Sequence, residues 1–155
     1  MRPWIEKALR RARHRRGNAI LEFAIGSGVL VAVFTGTFQF GFTFLQYNNL
    51  QNAVARGARY ASLVPYDSAT TVPSAAFQTA VQNMVVYGSP TAGTTPALAG
   101  LTPANANLTV AFTNGVPSAM TVSISGYAIN SVFATTTLTT KPQVTYAYQG
   151  IWSPI

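Results

Sequence analysis

An uncharged apolar segment near the N-terminus constrains this chain more than any other feature of its sequence. Residues 23–45 contain no Asp, Glu, Lys or Arg, and a basic segment, residues 1–17, precedes them. As an α-helix the apolar segment would be about 35 Å long, enough to cross a hydrocarbon core of roughly 30 Å. The apolar region of a cleaved signal peptide is shorter, so we favour a membrane-spanning helix over a signal peptide cut near residues 53–55.

The charge of the chain is concentrated before this segment. Residues 1–17 contain seven Lys or Arg side chains and one Glu, whereas the whole chain has a formal charge of +7. Because basic side chains are retained on the cytoplasmic side of a membrane, we expect a cytoplasmic N-terminus and an exported C-terminal part. The nearly neutral remainder lacks the basic face of a nucleic-acid-binding domain, so we expect no nucleic-acid partner.

Few residues suited to catalysis or metal binding occur in this chain. It has no Cys, and its one His, His14, lies in the basic segment. Thiolate catalysis, Cys-ligated metals and a Ser–His pair outside that segment are therefore excluded. A Ser–Lys hydrolase would have to use Lys141, which we interpret as a solvated side chain beside Pro142. We expect no enzyme, no catalytic residue, no metal and no cofactor.

One carboxylate, Glu22, lies at the start of the apolar region, five positions after Gly17. A charged side chain in a spanning segment is costly, and such residues usually have a function. Cleavage after Gly17 would create a new amine on Asn18, one helical turn from Glu22. Within a bundle of apolar helices, the Glu22 carboxylate could pair with that amine, of its own chain or of a neighbour, because buried charges require partners.

These residues resemble a known family. Residues 15–24, RRGNAILEFA, are similar to the processing motif of TadE-like pseudopilins, the minor pilins of tight-adherence (Tad) pili in the type IV filament superfamily. Residues 36–41 and 49–61 extend the resemblance in the same order. It implies that a prepilin peptidase cuts between Gly17 and Asn18, and that Glu22 acts as the assembly and recognition carboxylate.

The resemblance also implies a location, a set of partners and a role. The protein would be a single-pass protein of the bacterial inner membrane that can be incorporated into an extracellular pilus. Its partners would be the prepilin peptidase, other pilin subunits and the pilus assembly platform, and its role would be structural, in pilus biogenesis and surface adherence. The alternative is an uncleaved, signal-anchored membrane protein that displays a small adhesive or binding head.

Residue spacing along the helix indicates surfaces for partners. Small residues recur every four positions and form a stripe along one helix face, which lets another helix approach closely. Two later arginines are expected to be interfacial anchors whose stems lie on apolar surface. The predicted packing residues are Ala24, Gly28, Ala32 and Gly36, and the predicted anchors are Arg56 and Arg59.

The sequence as a whole predicts an α+β fold in three parts. These are a basic cytoplasmic leader (1–17), a transmembrane and spine helix (18–62) and an exported head (63–155). In the head we expect a helix from Ser74, its N-cap, to Tyr87, ended by Gly88.

An exposed loop follows at 89–105, and alternating residues then predict a three- to four-stranded antiparallel sheet. Strands are expected at 108–113, 120–125 and 143–149, with 127–140 as a connection and with a turn that begins at Asn114-Gly115 and extends through Pro117-Ser118.

Overall fold

The computed structural model describes residues 3–131 and 133–154, and the side chains of residues 18–131 and 133–154. Helix α1 runs over Pro3–Leu63 and confirms the predicted long N-terminal helix. Its final residue lies one position beyond the predicted end, and no Pro interrupts it because the next one is Pro65. Met1, Arg2 and the side chains of the predicted leader lie outside the described residues, and the division into three parts stays a prediction.

The chain divides into two compact units, residues 1–41 and 42–155. In its described part, the first unit is α1 as far as Gly41. The second unit begins with the remainder of α1 and contains every other helix and strand described below. We use the term N-terminal segment for α1 residues 18–41 and C-terminal segment for α1 residues 42–63.

Helix α2 spans Ala75–Tyr87 and has a defined cap at each end. The Ser74 hydroxyl accepts a hydrogen bond from the Phe77 amide at 3.1 Å. Gly88 adopts a left-handed conformation, with φ of 72°, and its amide donates to the Met84 carbonyl. Both predicted boundaries are confirmed, because N-cap Ser and C-terminal Gly act through local backbone geometry that the sequence specifies directly.

Five strands follow in the described part of the chain: β1 Ala106–Thr113, β2 Val116–Ile124, β3 Tyr127–Asn130, β4 Thr135–Leu138 and β5 Gln143–Ala147. Three of them form one antiparallel sheet in the order β1-β2-β5. The hairpin of β1 and β2 closes through Asn114 and Gly115, whose φ values are 54° and 80°. These angles fit a two-residue hairpin turn, so the predicted extension of the turn through Pro117 is wrong, and Pro117 lies inside β2.

Two further differences from the sequence prediction concern loops. The predicted connection at 127–140 contains β3 and β4, which pair as a separate two-stranded sheet. These strands are only four residues long, and β4 is mostly Thr, so no apolar alternation marks it. The loop at 89–105 was expected to be exposed, but Leu98 and Leu101 are buried in it, and a short 3-10 helix forms at Pro103–Asn105.

The core of the second unit joins the C-terminal segment of α1 to α2 and the sheet. Leu50 of α1, Val85 of α2 and Met120 of β2 are all completely buried in one cluster. Gly57 lets the two helices approach closely, because a Cβ at that position would overlap the side chain of Val85. The head is therefore built upon the end of α1, as an α+β unit with one long helix, one short helix and antiparallel strands.

Candidate functional site

The predicted cleavage site lies on continuous helical backbone, since both Gly17 and Asn18 belong to α1. Asn18 and Glu22 are exposed, whereas the surroundings of Gly17 lie outside the described side chains. Among the residues that the structure describes, the Glu22 carboxylate makes no hydrogen bond or ion pair. Its position one turn after Asn18 leaves it available to a partner amine, as the sequence hypothesis requires.

The N-terminal segment exposes large apolar side chains on every side of the helix. Phe23 is 77% exposed, Leu30 57% and Phe34 66%. Soluble monomers rarely expose apolar patches of this extent, and a helix that is apolar all round is typical of a membrane or of a protein interior. Residues 18–63 are long and apolar enough to cross a membrane.

The stripe of small residues faces open space in the single chain. Ala24, Gly28, Ala32 and Gly36 are all exposed. A Cβ added at Gly28 or Gly36 would meet nothing within 4 Å. The geometry permits close approach by another helix along this face, and the packing role of these four residues remains a prediction.

Arg56 and Arg59 occupy the exposed side of the C-terminal segment. Their neighbours Gly57 and Ala58 are buried against the head, so the two arginines point away from the core. In the described part of the chain, neither guanidinium makes an ion pair. Their predicted role as interfacial anchors is compatible with this exposure and is not tested by it.

Sequence reasoning missed a cluster at the base of the head, which we call the basal latch (residues 62–68 with 148–153). The Tyr148 hydroxyl accepts from the Tyr66 amide at 2.8 Å and lies 2.8 Å from the Ile151 carbonyl, to which it can donate. The Trp152 ring nitrogen donates to the Ser68 carbonyl at 3.0 Å. Tyr66 and Tyr148 are 82 positions apart, so no local pattern could reveal this contact.

The basal latch attaches residues 148–153 to residues 62–68. The Gln149 amide donates a hydrogen bond to the Ser62 carbonyl, and the Ser153 amide donates to the Tyr66 carbonyl, so these bonds join the two segments of the latch. Tyr66 is completely buried, and its ring lies edge-on to Phe77 with centroids 5.3 Å apart. Burial raises the pKa of Tyr66 and of Tyr148 above the ordinary tyrosine value, so both remain neutral hydrogen-bonding groups at physiological pH.

Asp67, the one acidic residue of the head, belongs to this latch. The Ser74 hydroxyl donates to its Oδ2 atom, which orients the serine that caps α2. Its Oδ1 atom is buried and has no hydrogen-bond partner among the described residues. Through its hydrogen bond with Ser74, Asp67 supports the cap of α2. No group of three potential metal-ligating residues occurs in the described part of the chain.

Lys141 and the two tyrosines near β5, Tyr146 and Tyr148, lie in different surroundings. Lys141 is exposed and precedes Pro142, whose peptide bond with it is cis. Tyr146 is 40% exposed on β5, whereas Tyr148 has left the strand and joined the basal latch. The strand predicted at 143–149 ends at Ala147, so of these two tyrosines only Tyr146 is on the strand.

Comparison with known proteins supports the resemblance read from the sequence. Residues 17–59 match the family model described as TadE-like protein. The match begins at Gly17 and includes Glu22, the stripe of small residues and both arginines, and the predicted resemblance is confirmed over this segment. The head lies outside it. No curated protein and no solved structure matches the chain.

Proposed function

With residues 17–59 matching TadE-like proteins as the premise, we propose that this chain is a structural minor pilin of a Tad-type pilus. One observation carries the proposal. The segment that matches the family includes residues 20–34 of α1, whose large apolar side chains are exposed in the described structure. Such a surface needs a membrane before assembly and neighbouring helices after it, which are the two environments of a pilin.

In this proposal the chain is anchored in the bacterial inner membrane by α1. The basic residues before Gly17 remain in the cytoplasm, and the head that begins near residue 63 is exported. The helix then packs through the face formed by Ala24, Gly28, Ala32 and Gly36 against other pilin subunits or the assembly platform. The exported head supports pilus biogenesis and adherence to surfaces.

A prepilin peptidase is proposed to cut the chain after Gly17. The cut would release the basic leader and leave Asn18 as the mature N-terminus. The exposed Glu22 carboxylate, which lacks a partner among the described residues, would then bind the new amine of its own or a neighbouring subunit. Neutralising both charges would favour the transfer of the helix into an apolar bundle.

N-terminal sequencing of the protein recovered from cells with its own export machinery tests the processing step. We expect a mature protein that begins at Asn18, and we expect Gly17→Ala to retain the leader. Gly28→Ala is the matched control, because it changes another glycine of α1 without altering the cleavage site. A retained Met1 would indicate the anchored head, and a start after Ala55 would indicate a signal peptide.

Glu22→Ala tests the assembly step separately. The variant should insert and be cleaved normally, and it should fail to support pilus assembly, as judged by electron microscopy of the cell surface. Glu22→Gln keeps the size and hydrogen-bonding capacity of the side chain while removing its charge. Normal piliation in both variants would contradict the proposed pairing between Glu22 and the new N-terminus.

A further inference from the structure

The three-stranded sheet of the head has two edges, and they are protected differently. Strand β1 forms one edge, where the Gln82 side-chain amide donates to the Ala106 carbonyl at 3.0 Å and α2 lies alongside. Strand β5 forms the other edge. In the part of the chain that the structure describes, no strand pairs with the outer side of β5.

The outer edge of β5 offers a regular set of backbone groups. Ladder bonds from Tyr148 to Ser118 and from Ile124 to Pro142 show that the even-numbered residues of β5 face β2. In an antiparallel ladder the intervening residues direct their N–H and C=O groups away from the partner strand. Gln143, Thr145 and Ala147 therefore point these groups outward, and all three residues are exposed.

None of the usual devices that prevent edge pairing occurs within β5. Its sequence, QVTYA, has no charge, no Pro and no Gly. Its register with β2 runs without a bulge from Ala147 to Gln143. Natural edge strands are ordinarily blunted by charges, prolines or bulges, and an edge without them is a template for another strand.

We propose that β5 pairs antiparallel with β5 of a second copy of this chain, about a two-fold axis at Thr145. In this register Thr145 lies opposite Thr145 of the other copy, and Gln143 lies opposite Ala147. The outward backbone groups of the three residues then form six hydrogen bonds. The interface is self-complementary, as a two-fold contact between identical chains must be.

The side chains on both faces of the sheet fit this register. On the inner face, Val144 lies opposite Tyr146 of the other copy, so pairing covers a Tyr146 ring that is 40% exposed in the single chain. On the outer face, cross-strand partners Thr109, Thr121 and Thr145 form a row, with the Thr121 and Thr145 hydroxyls 2.8 Å apart. Pairing extends this row across the axis, and threonine pairs of this kind stabilise adjacent strands.

Charge does not oppose the association. Lys141 is the charged residue nearest to β5, two positions before the strand begins. In the proposed register the two Lys141 residues lie at opposite ends of the pair, about 26 Å apart along the strands. This separation exceeds the Debye length of about 8 Å at physiological ionic strength, so their repulsion is screened.

Disulfide crosslinking of the full chain in detergent micelles tests the register, and the absence of native Cys makes every introduced thiol unique. Opposing residues of a hydrogen-bonded antiparallel pair have Cα atoms about 5.5 Å apart, within disulfide range. We expect Thr145→Cys to form disulfide-linked dimers at least tenfold faster than Thr121→Cys. The Thr121 positions of the two copies would be about 14 Å apart, three strand spacings.

Equal crosslinking of the two variants would overturn the proposal, as would faster crosslinking of Thr109→Cys on the opposite edge. The first result would indicate association through α1 alone, and the second would indicate a different sheet contact. Because the readout compares positions within the head, neither result depends on the proposed role in a pilus.

A second pair of variants tests the backbone bonds. Thr145→Pro removes an N–H group that β2 does not use, and prolines are tolerated on edge strands. We expect it to raise the dimer dissociation constant about tenfold, from two lost hydrogen bonds per dimer. Thr145→Val keeps the N–H group and should retain dimerisation through β5. Equal dissociation constants for the two variants, with native near-ultraviolet circular dichroism in both, would overturn the proposal.

Discussion

The two segments of α1 use the same residue types in opposite environments. In the N-terminal segment, Ala24 and Ala32 are exposed. In the C-terminal segment, Ala53 and Ala58 are completely buried beneath the head. The apolar surface of α1 is therefore covered by the head along the C-terminal segment and exposed along the N-terminal segment.

The largest expected contrast is between two leucines. Leu50 is 0% exposed and Leu30 is 57% exposed. Leu50→Ala should lower the free energy of unfolding of the head by about 2–5 kcal/mol, because it leaves a cavity in the core. Leu30→Ala should change it by less than about 0.5 kcal/mol. Denaturation of the full chain in detergent, followed by near-ultraviolet circular dichroism, measures both. Similar losses of unfolding free energy in the two variants would contradict the contrast between the two segments of α1.

Two glycines sharpen the same contrast. A Cβ at Gly57 would overlap the Val85 side chain, whereas a Cβ at Gly28 would meet nothing within 4 Å. Gly57→Ala should therefore lower the free energy of unfolding of the head by about 1–3 kcal/mol through overpacking. Gly28→Ala should leave that free energy unchanged. The same denaturation experiment measures both, and a stable Gly57→Ala head would show that α2 can move away from α1 without cost.

Tyr148 lies in the basal latch and Tyr146 lies on the edge strand β5. Substitutions at these two tyrosines therefore compare the contributions of the latch and of the strand edge to stability. Tyr148→Phe removes the hydroxyl that accepts from the Tyr66 amide, and we expect a loss of about 1–2 kcal/mol in the free energy of unfolding. Tyr146→Phe should cost less than about 0.5 kcal/mol, because that ring is on the exposed edge. Thermal unfolding of both variants under identical detergent conditions provides the measurement. A larger loss from Tyr146→Phe would show that the latch contributes little.

The smallest expected contrast involves two serines. Ser74 caps α2 and also donates to Asp67, whereas the Ser27 hydroxyl donates only to the Ala24 carbonyl within its own helix. Ser74→Ala should lower the free energy of unfolding by about 1 kcal/mol, the usual cost of a lost N-cap. Ser27→Ala should have no measurable effect on the head. Amide hydrogen exchange at the first turn of α2 should increase in the Ser74 variant alone.

Local signals predicted much of this structure from the sequence. Ser74 and Gly88 mark the ends of α2 because capping depends on residues within one helical turn. Asn114-Gly115 marks the hairpin because both residues tolerate positive φ. The order of Gly17, Glu22 and the apolar segment likewise indicated the TadE-like resemblance, which the family match confirms.

Distant contacts and weak patterns could not be predicted in this way. The hydrogen bond from Tyr66 to Tyr148 joins residues 82 positions apart, and the sequence around each residue does not indicate its partner. Strand β4 is mostly Thr and has no buried face, so its pairing with β3 leaves no periodic trace in the sequence. Leu98 and Leu101 lie in a segment rich in Pro, Gly and Thr, whose composition conceals two core positions.

The basal latch has a consequence for the order of events during synthesis. The segment that closes the base of the head, residues 148–153, is made more than eighty residues after the end of α1 to which it binds. Folds with such distant contacts form slowly, since closing a long loop of chain carries an entropy cost before the contact can form. The ribosome therefore synthesises nearly all of the head before the basal latch can form. If the head is exported as proposed, the latch can form only after residues 148–153 have crossed the membrane.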